Sequence, residues 1–251
     1  MTKIIITGCS GKMGASLINA AANREDIRIV GGIDLIQPQN VDFEYAKTFS
    51  ELRCQADVIV DFSNPAVLDS MLDYAVKNKM PVVICTTGYS EQQKQKIQAA
   101  SKEIAVFYSG NMSLGINLII ELAKKAAAVF GDSFDVEIIE QHHNQKLDAP
   151  SGTALMIADA ISQVRTDAEY VYDRHAYRKK REKKEIGIHS VRGGNIVGEH
   201  EVIFAGQDEV LTISHSARSK TVFAVGALNA AVYLKGKTAG MYDMSDLLEN
   251  S

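Results

Sequence analysis

The sequence predicts an α/β protein in two parts: a parallel, doubly wound sheet, then an α+β region on a mixed, largely antiparallel sheet. Three observations carry this expectation. Up to residue 108, short β-branched runs alternate with helical stretches. A glycine-rich turn joins the first of these strands to the first helix. After Asn111 the alternation gives way to one long helix and later to strands of period two.

The elements follow in order. Residues 3–7 read as a strand, 12–23 as a helix, and 27–33 as a strand ending at Asp34. Strand 57–62 is closed by Asn64-Pro65, helix 65–78 follows, and strand 81–85 stops at Thr86-Thr87-Gly88. Ser90 opens a polar helix to residue 103 with a Ser-x-x-Gln capping-box pattern, and strand 104–108 completes the first set. The second region reads as helix 114–130, strand 134–140, helix 152–164 and an irregular, strongly charged stretch at 174–185. Runs 186–192, 196–205 and 210–216 alternate apolar and polar residues. Their joining turns, Gly193-Gly194-Asn195 and Gly206-Gln207-Asp208, suggest an antiparallel meander. A last helix spans 219–234, and its periodicity assigns it to neither region.

Composition narrows the function classes. A chain of 251 residues fills one large domain or two modest ones. Its net charge of -4 offers no basic field, so nucleic acid is not an expected partner. No apolar run is long enough for a membrane span, and the strand-like start after Met1 leaves no signal peptide, so a cytoplasmic protein is expected. Three cysteines (Cys9, Cys54 and Cys85), with no C-x-x-C pair, read as reduced thiols rather than a disulfide frame or zinc site.

The turn Gly8-Cys9-Ser10-Gly11-Lys12-Met13-Gly14 has the spacing G-x-x-G-x-x-G. Glycines here let the backbone approach a pyrophosphate, and the helix start offers N–H groups and the positive end of a dipole. Asp34 ends the second strand, where a carboxylate accepts hydrogen bonds from an adenosine ribose and repels a 2′-phosphate. Leu35 follows it, so no adjacent Arg compensates, and Lys12 is the one nearby cation in the sequence. NADH is therefore the favoured cofactor, with NADPH open through Lys12. Cys85, Thr86 and Thr87, and Ser109, Gly110, Asn111 and Met112, lie at two further strand ends and are candidates for the nicotinamide half.

One segment concentrates acid–base and anion-binding groups: Glu140-Gln141-His142-His143-Asn144-Gln145-Lys146-Leu147-Asp148-Ala149-Pro150-Ser151-Gly152-Thr153. His142 can exchange a proton near neutral pH, and Lys146 is a cation that can also act as an acid. Ser151 is a good N-cap, which leaves Gly152 and Thr153 to present helix-start amides to an anion. Adjacent histidines diverge on regular backbone and Lys146 repels a cation, so no metal site is expected.

This segment resembles the signature of the dihydrodipicolinate reductase family, and the resemblance runs over essentially the whole chain. It includes the glycine turn, Thr86-Thr87-Gly88, Asn111-Met112-Ser113, the run from Arg192 to His200, and Gly240-Met241-Tyr242-Asp243-Met244. It implies a Rossmann-like nucleotide domain at 1–113, completed by 218–251, and a substrate and oligomerisation domain at 114–217. It implies NAD(P)H-dependent reduction of a cyclic imine dicarboxylate to tetrahydrodipicolinate, on the way to diaminopimelate and lysine, by a cytoplasmic homotetramer. Carried onto this chain, His142 is the catalytic proton donor or acceptor and Lys146 the second proton donor. His143, Gly152 and Thr153 contact substrate. Cofactor contacts fall on Gly8, Cys9, Ser10, Gly11, Lys12 and Met13, on Asp34, on Cys85 to Thr87, and on Ser109 to Met112. Some relatives carry an acidic residue followed by Arg where this chain has Asp34-Leu35, which argues against a strong NADPH preference. In the basic loop before the last helix, Arg218 or Lys220 either reaches ligand or serves the helix start.

Two other classes compete. Another two-domain dehydrogenase shares the architecture, but an acylating one needs a nucleophilic cysteine in its second domain, and all three cysteines precede Asn111. A non-catalytic nucleotide sensor has no use for His142 and Lys146 together. The charged stretch 174–185 reads as a solvated loop rather than a polyanion site, because its cations are interleaved with glutamates.

Overall fold

The computed structural model describes residues 1–176 and 178–249. In chain order the elements are β1 (Thr2–Thr7), α1 (Lys12–Ala21), β2 (Ile27–Ile33), β3 (Glu44–Ala46), β4 (Val58–Asp61), α2 (Leu68–Lys77), β5 (Val82–Ile84), α3 (Glu91–Ala100) and β6 (Ala105–Tyr108). They continue as α4 (Leu114–Phe130), β7 (Asp135–His142), α5 (Gly152–Ser162), β8 (Glu169–Val171), β9 (Glu185–Arg192), β10 (Gly198–Ala205), β11 (Val210–Ala217), α6 (Thr221–Leu234), β12 (Gly240–Tyr242) and α7 (Met244–Glu249). The chain divides into two compact units, Met1–Leu114 with Lys220–Ser251, and Gly115–Ser219.

The first unit holds a parallel seven-stranded sheet in the order β12-β6-β5-β4-β1-β2-β3. A strand buried on both faces reads as a continuous apolar run, and β1 shows why. Ile4 and Ile6 point to one side, among residues of α1 and α6, while Ile5 points to the other, among residues of α2 and α3. The helix that periodicity could not assign, α6, packs here against α1, β4 and β5. Its inward positions are Ala, Gly and Leu, so it lies close: a Cβ on Gly226 would sit 1.7 Å from the Met112 carbonyl oxygen. The strand order reverses beside β1, which is where ligands bind in open α/β sheets.

The second unit holds a mixed five-stranded sheet, β11-β10-β7-β9-β8. Helices α4 and α5 cover one face through Ile119, Ala123, Ile157 and Ile161 against Val136, Ile138, Ile188 and Phe204. The expected antiparallel meander is corrected here. β10 and β11 form an antiparallel hairpin, but β9 and β10 are not neighbours: β7 lies between them, antiparallel to β10 and parallel to β9. Alternation tells which residues share a face, and says nothing of which strand lies alongside. The outcome sets the site, because Glu140 then stands opposite His200 on one side and Ser190 on the other, and His142 stands opposite Arg192. The short elements β3, β8, β12 and α7 carry too few residues to show a period. The charged stretch 174–185 is irregular up to β9, with Tyr177 outside the described residues.

The close approach of α6 yields a stability prediction. Gly226→Ala forces a methyl into the Met112 carbonyl and should cost about 1–3 kcal/mol. A thermal melt should show a midpoint at least about 2 °C lower. An unchanged midpoint would contradict this packing.

Candidate active site

In the second unit the site grows from the end of β7. Alternation turns Glu140 and His142 to the helix-covered face, where Glu140 is fully buried and His142 is 9% exposed. A buried carboxylate needs donors on its oxygens, and Glu140 has them on both sides. Arg192 clamps it, with Nη2 donating to Oε1 at 2.6 Å and Nη1 to Oε2 at 2.8 Å. The Ser151 amide donates to Oε1 at 3.1 Å, and His142 Nδ1 lies 2.5 Å from Oε2. Burial alone would raise the Glu140 carboxyl, but the hydrogen bonds from Arg192, Ser190 and His142 carry it down to about 2. His142 is held below the ordinary imidazole value, first by burial and further by the charges of Lys146 and Arg192, against the opposing pull of Glu140.

The loop after β7 is tied to the same group. Arg192 Nη2 also donates to the Asp148 carbonyl at 2.6 Å. Lys146 Nζ pairs with Asp148 Oδ1 at 2.8 Å, which pulls the Asp148 carboxyl down. Ser151 caps α5, its Oγ accepting from the Ala154 amide at 3.1 Å. Gly152 and Thr153 are therefore the first helical residues, and space is open around the Gly152 Cα. His143 is half-buried, and its Nδ1 is a buried atom without a hydrogen-bond partner. Beneath the loop lies His200, 4% exposed, with Nε2 3.1 Å from Ser151 Oγ and its ring edge-on to His142 at 5.3 Å between centroids. Burial, then the nearby His142, pushes His200 down to about 4.

In the first unit the glycine turn stands at the switch point. Gly8 has φ +76, and a Cβ there would lie 2.4 Å from the Phe62 carbonyl oxygen, so only glycine makes this turn beside β4. Gly11 is the N-cap of α1, Lys12 its first residue, and Met13 packs on the core. The Ser10 amide donates to Asp34 Oδ2 at 2.9 Å, and the Leu35 amide to Oδ1 at 2.7 Å. An open cleft of about 510 Å³ lies between Gly8, Gly11 and Asp34, with Leu35, Lys47 and Ser63 also on its wall. This backbone-lined turn, helix start and acidic strand end fit the adenosine and phosphate half of a dinucleotide. Cys85, Thr86 and Thr87 follow β5, and Ser109 to Met112 follow β6, outside the lining of this cleft. Ser109 Oγ bonds the Asn111 backbone, donating to its carbonyl at 2.8 Å and accepting from its amide at 3.2 Å. Burial raises the thiol of Cys9 to about 11 and that of Cys85 well above its usual value, so neither is a ready nucleophile.

The sequence alone assigns no role to several groups that the structure brings in. In the second unit these are Glu140, Arg192 and His200. Glu140 has a signal, since a residue two before His142 on an alternating strand shares its face. Arg192 and His200 bound a run that the family resemblance includes, but their approach to Glu140 depends on β9 and β10 lying beside β7. In the first unit Lys47 lines the cleft beside Asp34, whereas Lys12 does not. The parallel register pairs Ile33 with Ala46, which sets Lys47 beside Asp34 one step on. Asp61, 1% exposed, ends β4 and accepts from Thr7 Oγ1, from Ser63 Oγ at 2.5 Å and from Tyr89 Oη at 3.2 Å, pinning β1 to β4 at the switch point. Arg218 and Lys220 are both exposed, and Lys220 stands at the start of α6 without a side-chain cap bond. Among the described residues no group of three or more His, Cys, Asp or Glu side chains could hold a metal.

Comparison with known proteins matches both units. The profile described as dihydrodipicolinate reductase, N-terminus, matches residues 2–112, and that described as dihydrodipicolinate reductase, C-terminus, matches residues 115–248. The chain belongs to the dihydrodipicolinate reductase family. It is 49% identical over 251 residues to the 4-hydroxy-tetrahydrodipicolinate reductase of Clostridium novyi (strain NT), covering 100% of this chain and 99% of that one. It is 51% identical to the protein of the same name from Caldanaerobacter subterraneus subsp. tengcongensis, covering 99% of each. Among solved structures it is similar to the dipicolinate-bound dihydrodipicolinate reductase of Paenisporosarcina sp. TG-14, with a TM-score of 0.83, 26% identity and 97% of each chain covered.

The buried histidine predicts a pH dependence of stability. The unfolded chain protonates His200 near 6.5, while the folded chain resists until about 4, so the unfolded state binds more protons in between. Stability should therefore fall as pH drops from 6.5 toward 4, by an amount on the order of 3 kcal/mol. Urea unfolding at pH 7 and pH 5 should differ by about 2 kcal/mol, the part of this loss that falls above pH 5, and His200→Gln should reduce the difference. Equal midpoints at the two pH values in the wild type would refute it.

Proposed function

We propose that this chain is an NAD(P)H-dependent 4-hydroxy-tetrahydrodipicolinate reductase, producing tetrahydrodipicolinate for diaminopimelate and lysine synthesis. The observation that carries this reading is end-to-end similarity, at about half identity, to proteins of that name. The related Paenisporosarcina reductase binds dipicolinate, a planar ring with two carboxylates, which points to the same substrate class here.

The nicotinamide, when bound, supplies the hydride. Cofactor contacts are assigned to the glycine turn, to Asp34, and to the ends of β5 and β6. In the second unit, Lys146 meets a substrate carboxylate by exchanging its Asp148 partner for it. Gly152 and Thr153, at the positive end of α5, seat the same anion. Negative charge that develops on the ring is stabilised by these groups where it forms. His142 and Lys146 are the proton-transfer groups, and His143 lies beside them as a substrate contact. The low proton affinity of His142 leaves the free ring mainly neutral near pH 7 and makes it a strong proton donor once protonated.

Asp34 favours NADH, because its carboxylate suits two ribose hydroxyls and opposes a 2′-phosphate. Lys47, beside Asp34 by register, is the cation that keeps NADPH usable. A homotetramer is supported by the face of the second sheet that α4 and α5 leave uncovered, where Ile139, Ile203 and Val191 stand among polar neighbours. No helix of the described residues is long and apolar enough to cross a membrane. A cytoplasmic location agrees with the free cysteines.

Four outcomes test this. Freshly generated substrate should drive oxidation of NADH and of NADPH, followed by loss of absorbance, with the higher kcat/KM for NADH; no oxidation of either would reject the reading. His142→Ala should lower kcat about 10²–10⁴-fold. Lys146→Ala should raise KM and lower kcat, since a charged hydrogen bond is worth about 1.5–3 kcal/mol, and wild-type kcat/KM would remove Lys146 from the site. Lys47→Ala should weaken NADPH binding, measured by fluorescence titration, by about tenfold, the worth of a hydrogen bond to a charged group, while leaving NADH binding within about twofold. Equal loss for both cofactors would remove Lys47 from 2′-phosphate recognition.

A further inference from the structure

We propose that Glu140 is a positioning residue that fixes the tautomer of His142, so that this ring gives and takes the catalytic proton at Nε2. The proposal rests on the reading of His142 as a proton-transfer group, and it concerns which nitrogen does the work.

The charge on the carboxylate decides the tautomer. Glu140 is fully buried, yet it is clamped by two guanidinium nitrogens of Arg192 and a backbone amide from Ser151. Three donors of this kind hold it ionised, and an ionised carboxylate only accepts. The 2.5 Å contact between Oε2 and His142 Nδ1 is then a hydrogen bond donated by Nδ1. The neutral ring is thereby the Nδ1–H tautomer, with its lone pair on Nε2. When His142 acts as an acid, the Nε2–H bond breaks and the proton passes to the substrate, while the Nδ1–H bond to Glu140 stays intact. The reverse transfer uses the Nε2 lone pair.

The surroundings of Nε2 agree. A Cβ on Gly198 would lie 3.1 Å from His142 Nε2 and 3.4 Å from Cδ2, so glycine at the start of β10 keeps that edge of the ring clear. Arg192 has a second effect. By holding Glu140 bidentately it adds a positive charge near the ring, so Glu140 orients His142 without locking it as an imidazolium. The same carboxylate reaches the N-cap of α5 through the Ser151 amide, and Arg192 reaches the Asp148 carbonyl. One buried anion therefore aligns the proton-transfer ring, the substrate-binding helix start and the loop between them.

The test is a tautomer measurement, which needs no turnover. The chain has 6 histidines, so histidine-selective ¹⁵N labelling gives a tractable spectrum. In the wild type His142 should carry its proton on Nδ1 when neutral; a neutral ring protonated on Nε2 would overturn the proposal whatever any variant does. In Glu140→Gln, Arg192 takes the amide oxygen and the amide NH₂ faces Nδ1, so the ring should switch to Nε2–H. Its kcat should fall about 10²-fold or more with substrate KM changed much less. Glu140→Asp keeps the charge and should retain the Nδ1–H tautomer with partial recovery of kcat. If Glu140→Gln folds, keeps the wild-type tautomer and keeps wild-type kcat, Glu140 does not position the ring. Should Glu140→Gln fail to fold, the wild-type tautomer together with Glu140→Asp decides the matter. Failure of the functional reading would look different: His142→Ala would then retain kcat regardless of which nitrogen is protonated.

Discussion

The second unit is organised around the Glu140 carboxylate. A charge with no exposure persists in a folded protein only when its oxygens are filled by donors, and removing one partner typically costs several kcal/mol. Arg192, Ser151 and His142 fill those oxygens, and each comes from a different piece of chain: the end of β9, the cap of α5 and the end of β7. The β7–β9 and β7–β10 registers follow the same logic. Sliding either strand by one residue would turn Arg192 or His200 to the opposite face and strand the buried carboxylate.

The first unit follows a similar rule with less charge at stake. Asp61 ends β4 and gathers the hydroxyls of Thr7, Ser63 and Tyr89. That closes the strand ends around the switch point and leaves the glycine turn and Asp34 to form the cleft wall. In both units a buried acid holds the candidate site residues in place, so the candidates alone leave out what positions them.

Much of this is legible in the sequence. The β-branched runs of the first unit, its glycine turn and Asp34 carry strong local signals, and the fold class follows from them. His142, Lys146 and Ser151 are visible as chemistry-bearing types around a helix start. What stays hidden depends on contacts between distant strands. The pairing of β7 with β9 brings Arg192 to Glu140 across 52 residues, and no local pattern encodes that. Lys47 reaches the cleft only because a three-residue strand, β3, aligns beside β2. Lys12, near in sequence to the glycine turn, is the natural choice for a phosphate contact, but it lies outside the cleft wall. Glu140 is one motif residue among many in the sequence, because its environment, rather than its type, makes it matter.

The central claim is that this chain moves a hydride from a nicotinamide to the ring of a cyclic imine dicarboxylate. The most direct test is a single turnover with cofactor carrying deuterium at the transferable position of the nicotinamide, with the product analysed by mass spectrometry. The account predicts tetrahydrodipicolinate with one deuterium bound to a ring carbon and a cofactor that has lost its label. Product without the label, or label retained on the cofactor, would contradict it.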